Sequence, residues 1–166
     1  MNKDAWRRFA PGGKWKYDII LPGYKYNMMD LQAALGIHQL GKLEAFIVRR
    51  GEIARQYRAG LSDLPALRLP DEGQAGRQTW HLYPILIDFD RLKIDRAGFI
   101  DLLAEQNISA NVHYLPVHLF HHYREVLGYR PGDFPVAERL SRCEVTLPLY
   151  TRLTDHDVED VIAAVR

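Results

Sequence analysis

Apolar residues recur at helical spacing from Asp30 to about residue 62, and this spacing predicts one long helix. If the helix is interrupted, Gly51 is the expected position, because glycine costs about 1 kcal/mol in a helix interior. Pro65 ends the pattern, since proline disrupts the hydrogen bonding of a continuing helix. The apolar face of the predicted helix consists of Leu31, Leu35, Leu40, Leu43, Ile47, Ala54, Tyr57 and Leu61.

Beyond Pro65 the pattern first indicates strands. Residues 80–89 are rich in aromatic and β-branched side chains and predict a buried strand, in which Pro84 indicates an edge or a bulge. Residues 108–114 and 145–147 predict two further strands. His81 is a single histidine on the first of these strands, so we interpret it as a hydrogen-bonded core residue.

Three shorter helices are predicted between and after the strands. Asp95 is expected to cap a helix over residues 96–106, and residues 135–142 form the second. Thr154 is expected to cap the last helix, with Asp157 at the third position of a capping box. The inner face of the first of these helices is predicted to contain Phe99, Leu102 and Leu103.

The alternation of strands and helices predicts an α/β fold class. We expect a small α/β sandwich, with helices packed on a sheet and the long helix preceding it, over residues 30–166. Residues 1–29 show no sustained period and predict an irregular segment that packs against something else. The aromatic side chains that indicate such packing are Trp6, Phe9, Trp15 and Tyr17.

Charge and cysteine content exclude several classes of function. The chain has 22 basic and 21 acidic residues, so neither nucleic-acid binding nor an anionic membrane surface is expected. No apolar run reaches the length of a membrane span, and the first residues lack a signal-peptide core. Cys143 is the only cysteine, which excludes an intramolecular disulfide and fits a reducing compartment. We therefore expect a cytoplasmic protein.

The first candidate site precedes the long helix. Pro22 and Gly23 indicate a turn, and alternation along the next residues places Lys25 and Asn27 on one side of an extended segment. A cation and an amide just before a helix N-terminus favour an anion, because the free N–H groups and the helix dipole attract negative charge. The alternative is an ordinary turn into a helix.

The second candidate site is the histidine-rich stretch NVHYLPVHLFHHY at residues 111–123. His113 and Tyr114 fall on opposite faces of a predicted strand, and His118 on a loop just beyond it. Four histidines in this stretch also suggest zinc, but their spacing lacks a helical i, i+4 pair with an acidic neighbour, so no metal site is predicted. His121 and His122 are interpreted as exposed loop residues.

Four segments carry a resemblance to one known family. They are GYKYNMMDLQAALGIHQL at 23–40, WHLYPI at 80–85, NVHYLPVHL at 111–119 and LPLYTRLTDHDVEDVI at 147–162. In this order they resemble the C-terminal part of the DegT/DnrJ/EryC1/StrS sugar aminotransferases, which use pyridoxal 5'-phosphate to aminate nucleotide-linked keto-sugars. The resemblance implies the small C-terminal α/β domain of a fold-type I pyridoxal-phosphate enzyme.

The resemblance also implies roles for six residues. Lys25 and Asn27 would bind the cofactor phosphate of the neighbouring subunit, and which of the two makes the contact stays open. The sugar-nucleotide pocket would be bordered by Tyr24, His113, Tyr114 and His118. No catalytic residue is assigned within this chain.

The matching part of the family excludes the large domain that holds the cofactor-binding lysine. We therefore expect the chain to be inactive alone and residues 1–29 to pack on that missing domain. In the complete enzyme the resemblance implies a homodimer that takes a nucleotide-sugar substrate and an amino-acid donor, usually glutamate, in cell-surface polysaccharide or aminosugar biosynthesis. The alternative is a non-catalytic fragment that acts as an interaction or dimerisation module, or a pseudoenzyme.

Overall fold

The computed structural model describes residues 21–71 and 78–166. The chain divides into two compact units, Met1–Gly41 and Lys42–Arg166. The predictions for Trp6, Phe9, Trp15 and Tyr17 lie outside the described residues.

The described part of the first unit is an extended segment followed by helix α1, Asp30–Leu40. The helix begins at the predicted residue, where the Met29 N–H donates to Oε1 of Gln32 over 3.1 Å. This bond satisfies an amide that the helix itself leaves unpaired. None of the α1 side chains is buried, and Leu31 and Ile37 are 70% and 74% exposed.

The prediction of one long helix is wrong. Helix α1 ends at Leu40, and helix α2 covers Leu43–Leu61, so the break falls at Gly41 and Lys42. Gly51 stays helical because α2 is fixed to the core by the buried side chains of Ile53, Ala54, Tyr57 and Leu61, and this packing outweighs the propensity of one glycine.

Three antiparallel strands form the sheet of the second unit, in the order β1-β2-β3. They are β1 (Leu67–Arg68), β2 (Tyr83–Ile87) and β3 (Glu144–Leu147). Pro84 lies in the central strand, where it pairs with Thr146 of β3. Strand β1 pairs with β2 only at Leu86 and Ile87 and does not reach Pro84. At Pro84 this side of β2 therefore resembles the edge of a sheet, where proline is tolerated because it has no N–H to donate.

The strand predicted over residues 108–114 is reduced to one bridge. Asn111 exchanges two backbone hydrogen bonds with Thr146, of 3.2 and 2.7 Å. Two residues later, the His113 N–H donates to Oε2 of Glu144 over 2.8 Å. A side-chain carboxylate thus replaces a strand carbonyl as the acceptor for the His113 N–H, and the backbone pairing with β3 ends.

The core lies between one face of the sheet and the helices. Along β2 burial alternates, and the side chains of Tyr83, Ile85 and Ile87 are fully buried. The Tyr83 ring lies 5.0 Å from that of Tyr57 on α2, whose hydroxyl donates to the Pro148 carbonyl over 2.7 Å. Burial raises the pKa of Tyr57, so the hydroxyl stays a donor.

Residues just before β2 lie outside the sheet, and this overturns one prediction. His81 is exposed and is not a core residue. Trp80 has a positive φ of 49°, and β2 starts only at Tyr83. Trp80 is partly buried and its ring lies 5.8 Å from that of Tyr83, as expected of a residue packed on the core.

Helix α3, Arg96–Glu105, begins as predicted with the Asp95 carboxylate accepting from the Gly98 N–H. Phe99 and Leu103 are buried, but Leu102 is 47% exposed, so its predicted place on the inner face is wrong. Phe99 and Leu103 are four residues apart and share one helix face. Leu102 is rotated by about 100° from Leu103 around the helix axis.

The remaining helices are α4 (His121–Leu127), α5 (Pro135–Cys143) and α6 (Asp155–Val165). Among the described residues, short 3-10 turns cover Phe89–Arg91 and Val117–Leu119. Thr154 caps α6 in the predicted capping box, in which Asp157 accepts from the Thr154 N–H over 2.8 Å. None of the helices in the described part of the chain is long and apolar enough to cross a lipid bilayer.

Helices α2 and α6 approach closely at Gly60. A Cβ atom added there would lie 2.7 Å from Cγ2 of Ile162. Among the described residues, an ion pair of 2.9 Å joins Arg49 of α2 to Asp155 of α6, and one of 2.7 Å joins Asp63 to Arg166, just beyond the C-terminal ends of the two helices. The interface therefore needs a residue without a side chain at position 60.

We expect Gly60→Ala to destabilise the chain by about 1 to 3 kcal/mol, because the added methyl group overpacks the interface with α6. Gly51→Ala is the matched control in the same helix. A Cβ at position 51 meets no atom closer than 3.5 Å, so we expect no loss and a gain of up to about 1 kcal/mol. Urea unfolding of both variants measures this, and equal effects would contradict the packing.

Candidate functional site

The segment that precedes α1 holds the predicted phosphate-binding residues. Lys25 and Asn27 are exposed and lie on non-helical backbone three to five residues before Asp30. Further along the chain, the N-terminus of α1 offers backbone N–H groups, although Gln32 already accepts from that of Met29. A cation, an amide and free N–H groups together can bind a phosphate.

Tyr24 lies next to this pair and is 87% exposed. Its ring centroid is 5.7 Å from that of Tyr26, and the two rings are tilted by 41°. The exposed phenol can donate to or accept from a hydroxyl group. Its predicted contact with substrate stays a prediction.

His113 and Tyr114 belong to the second unit and follow the Asn111 bridge. Their ring centroids are 4.7 Å apart, with the rings nearly perpendicular, and the peptide bond between them is cis. Tyr114 is 71% exposed. Nδ1 of His113 is buried and has no hydrogen-bond partner among the described residues. A buried ring nitrogen normally has a hydrogen-bond partner, and the described residues supply none for this one.

Glu144 fixes the backbone of this pair. The residue is 6% exposed at the start of β3, and its Oε2 accepts from the His113 N–H. Its Oε1 accepts from the Thr146 hydroxyl. Each carboxylate oxygen therefore has a donor, as burial of a charged group requires.

His118 lies in the 3-10 turn Val117–Leu119 and is 7% exposed, so its predicted loop position becomes a buried one. Its Nε2 lies 2.9 Å from Oε1 of Glu138 on α5. The same oxygen accepts from the Gly132 N–H over 2.8 Å. The Phe134 ring covers the imidazole at a centroid distance of 4.7 Å.

These donors change the acidity of Glu138. The Gly132 N–H lowers the pKa of the Glu138 carboxyl, and the His118 ring and the Phe134 N–H lower it further. Desolvation raises the pKa of this carboxyl, but by less than the donors lower it. The group is therefore an anion at neutral pH and a permanent acceptor for His118.

The structure leaves the other histidines of this stretch apart from the site. His121 and His122 are exposed, as expected, but they open helix α4 and do not lie in a loop. Within residues 21–71 and 78–166, no group of three or more His, Cys, Asp and Glu side chains is arranged to hold a metal ion.

A cleft of about 270 Å³ lies elsewhere, between β1 and α5. It is lined by Leu67, Leu86 and Leu140 together with Arg68, Arg139 and the half-buried Cys143. None of the predicted site residues borders it, and its chemistry is that of an apolar surface groove.

Sequence reasoning missed Glu138 and Glu144. Charged side chains at these positions resemble solvated surface residues, and only the folded chain shows that they are buried. For Glu138 one signal was present: it lies four residues after Phe134, in the first turn of a helix that starts with Pro135. A glutamate in a first turn often accepts from backbone N–H groups that precede the helix.

Comparisons with known proteins show what this chain is similar to. A family model described as the DegT/DnrJ/EryC1/StrS aminotransferase family matches residues 3–166. The chain is 42% identical over 167 residues to the spore coat polysaccharide biosynthesis protein SpsC of Bacillus subtilis. It is 48% identical over 166 residues to the uncharacterized protein MJ1066 of Methanocaldococcus jannaschii. Both matches cover 100% of this chain but only 43% of the relative.

A solved structure with the same fold is the putative sugar aminotransferase Spr1654 of Streptococcus pneumoniae. In its PMP form it superposes with a TM-score of 0.81 at 32% identity, and the match covers 99% of this chain and 40% of that one. This chain thus spans less than half the length of the relatives that it matches.

The acidity of Glu138 predicts how stability depends on pH. Because the folded pKa lies below the ordinary value of 4.5, the stabilisation is present above about pH 4.5 and is lost as the pH falls through the folded pKa. We expect Glu138→Gln to flatten this acid-dependent loss, since the amide cannot take up the proton.

The measurement is the free energy of unfolding in urea between about pH 6 and pH 3. Glu125→Gln is the control, because Glu125 is exposed and, among the described residues, forms an ion pair of only 4.0 Å, with Arg124. Parallel pH curves for the wild type and Glu138→Gln would contradict the expected role of this carboxylate.

Proposed function

Because this chain belongs to the DegT/DnrJ/EryC1/StrS aminotransferase family, we propose that it is the C-terminal part of a pyridoxal-phosphate enzyme that aminates a nucleotide-linked keto-sugar. Glutamate is the proposed amino donor. The observation that carries the proposal is the family match over residues 3–166, joined to segments whose polar groups suit these two ligands. A role in cell-surface polysaccharide or aminosugar biosynthesis agrees with the name of SpsC. The proposed compartment is the cytoplasm.

The described residues fit the phosphate end of the cofactor. Lys25 supplies a positive charge, Asn27 supplies an amide donor, and the α1 N-terminus supplies backbone N–H groups. Spr1654 has been solved in PLP and PMP forms, which supports this cofactor within the family. When bound, the cofactor supplies an electron sink for the transfer of the amino group.

In the proposed enzyme Lys25 and Asn27 act in trans. Members of the family are expected to form homodimers, so the extended segment of one subunit would reach the cofactor phosphate of its neighbour. This placement explains why polar binding groups and exposed apolar side chains share one short stretch. The residues on the apolar side are Met28, Leu31, Leu35 and Ile37.

Substrate recognition is proposed for Tyr24, His113, Tyr114 and His118. Phenol and imidazole groups can bind sugar hydroxyls, and a protonated imidazole can bind a diphosphate. The exposed Tyr114 ring and the unpaired Nδ1 of His113 support such contacts. None of these side chains is assigned a proton transfer.

A second candidate function is that of a dimerisation or interaction module without catalysis. Helix α1 has no buried side chain, and its exposed Leu31, Leu35, Ile37 and Leu40 favour this function. This surface is also what the dimeric enzyme needs, so exposure alone does not separate the two functions. Measuring the activity of the longer protein distinguishes the two functions.

The first test compares this chain with a protein of full family length that contains it. We expect the longer protein to transfer an amino group from glutamate to a nucleotide-linked keto-sugar, and the isolated chain to be inactive. The isolated chain is also incubated with pyridoxal phosphate and reduced with borohydride. Peptide mapping should then find no lysine of residues 1–166 labelled stoichiometrically. One fully labelled lysine in this chain would contradict the expected division, and an inactive longer protein would favour the interaction module.

The second test concerns Lys25 and Asn27 in the longer protein. Replacing both with alanine should weaken retention of pyridoxal phosphate, since charge-assisted hydrogen bonds are typically worth about 1.5 to 3 kcal/mol. Dialysis followed by the cofactor absorbance measures the loss, and Lys42→Ala, which removes another exposed lysine, is the control.

Mixed dimers test whether the contact acts in trans. One subunit carries Lys25→Ala with Asn27→Ala, and the other lacks the cofactor-binding lysine. In trans, one of the two composite sites collects both defects and the other is intact, so partial activity should return. An absence of complementation would indicate a contact within one subunit.

A further inference from the structure

Two buried glutamates form hydrogen bonds to the histidine segment, residues 113–118. Glu138 lies in the first turn of α5 and Glu144 at the start of β3, six residues later. The first accepts from the ring of His118, and the second from the backbone of His113. Residues 113–118 are thus fixed at both ends by carboxylates that the sequence places close together.

We propose that Glu138 and Glu144 are positioning residues for sugar-nucleotide recognition, acting through His118 and His113. This inference rests on the proposed function, because it concerns the same substrate. Neither carboxylate is expected to touch the substrate. Each fixes a group that does.

The geometry at Glu138 determines the tautomer of His118. A carboxylate oxygen only accepts, so Nε2 of His118, 2.9 Å away, carries the proton and donates it. In the neutral ring this leaves Nδ1 as the acceptor. Oε1 of Glu138 also binds the Gly132 N–H, so the same oxygen ties the ring to the loop before α5.

The geometry at Glu144 fixes the backbone and leaves the neighbouring side chains free. Oε2 binds the His113 N–H, and Oε1 binds the Thr146 hydroxyl. No hydrogen bond joins this carboxylate to the imidazole of His113 or to the phenol of Tyr114 within the described residues. Tyr114 stays exposed, and Nδ1 of His113 stays unpaired. The backbone is held, while the exposed side chain of Tyr114 remains available to a ligand.

Stability alone is a weak reason for two buried carboxylates. Burying a charge carries a desolvation cost, and apolar residues of similar volume often stabilise a fold as well or better. A carboxylate differs from an apolar residue because it fixes the direction and the proton of its partner. Binding groups need this, since misplacing one by about 1 Å can cost up to about a hundredfold.

The test is a double-mutant cycle in the full-length enzyme that contains this chain. Glu138→Ala and His118→Ala should each raise KM for the sugar nucleotide about tenfold, with a smaller change in kcat. In the double variant the two effects should not add, because Glu138 acts through His118. Glu144→Ala should raise KM in the same way, through His113 and Tyr114.

Conservative variants separate positioning from folding. Glu138→Gln keeps an oxygen acceptor in place and should recover most of the wild-type KM. Glu138→Asp keeps the charge but is one methylene shorter, so it should raise KM even if Glu138→Ala fails to fold. Glu125→Ala removes an exposed glutamate of α4 and is the matched control, with KM unchanged.

A spectroscopic signal reports the contact directly. The proton on Nε2 of His118 should give a downfield, slowly exchanging resonance in the wild type that disappears in Glu138→Ala and in His118→Ala. An active enzyme whose KM is unchanged by Glu138→Asp and Glu144→Ala, or in which the Glu138 and His118 effects add, would overturn the positioning role and leave the proposed function standing. A wild type inactive on every sugar nucleotide tested would overturn the proposed function and this inference with it.

Discussion

Burial of two carboxylates determines the path of the chain on one side of the sheet. Taking a carboxylate out of water is unfavourable unless donors replace the lost hydration. Glu138 obtains them from the Gly132 N–H and the His118 ring, and Glu144 from the His113 N–H and the Thr146 hydroxyl. The donors from His113, His118 and Gly132 lie outside the α-helices and strands, so their bonds to the two carboxylates help to fix the path of residues 113–132.

The other side of the sheet supplies the rigid support that such positioning needs. The rings of Tyr57 and Tyr83 pack against each other in the core, and α2 and α6 meet at a glycine where no side chain fits. Arg49 also donates to the Leu153 carbonyl over 2.6 Å, so the start of α6 is tied to α2 by backbone as well as side chain. Strand β3 connects the two sides: its buried Val145 and Leu147 belong to the core, while Glu144 holds the histidine segment.

Local patterns in the sequence predicted the elements whose stability is local. The Asp95 and Thr154 caps, the start of α1 and the final helix follow from residues within one turn, and all four are confirmed. Two of the failures depend on distant partners. Gly51 remains helical because α2 packs on the core, and the strand at 108–114 stops because Glu144, 31 residues away from His113, takes its donor. His118 was found as a candidate, but its burial depends on Glu138, which no periodic pattern marks.

The two units use their apolar residues in different ways. The unit Lys42–Arg166 has a core, whereas no side chain of α1 is buried. A helix of 11 residues is marginal in water by itself, because nucleation costs more than a few hydrogen bonds return. In the proposed dimer, one contact would both bury Leu31, Leu35 and Ile37 and hold Lys25 and Asn27 at the cofactor of the neighbour. Assembly and cofactor binding would then order the same segment, so each would strengthen the other by mass action.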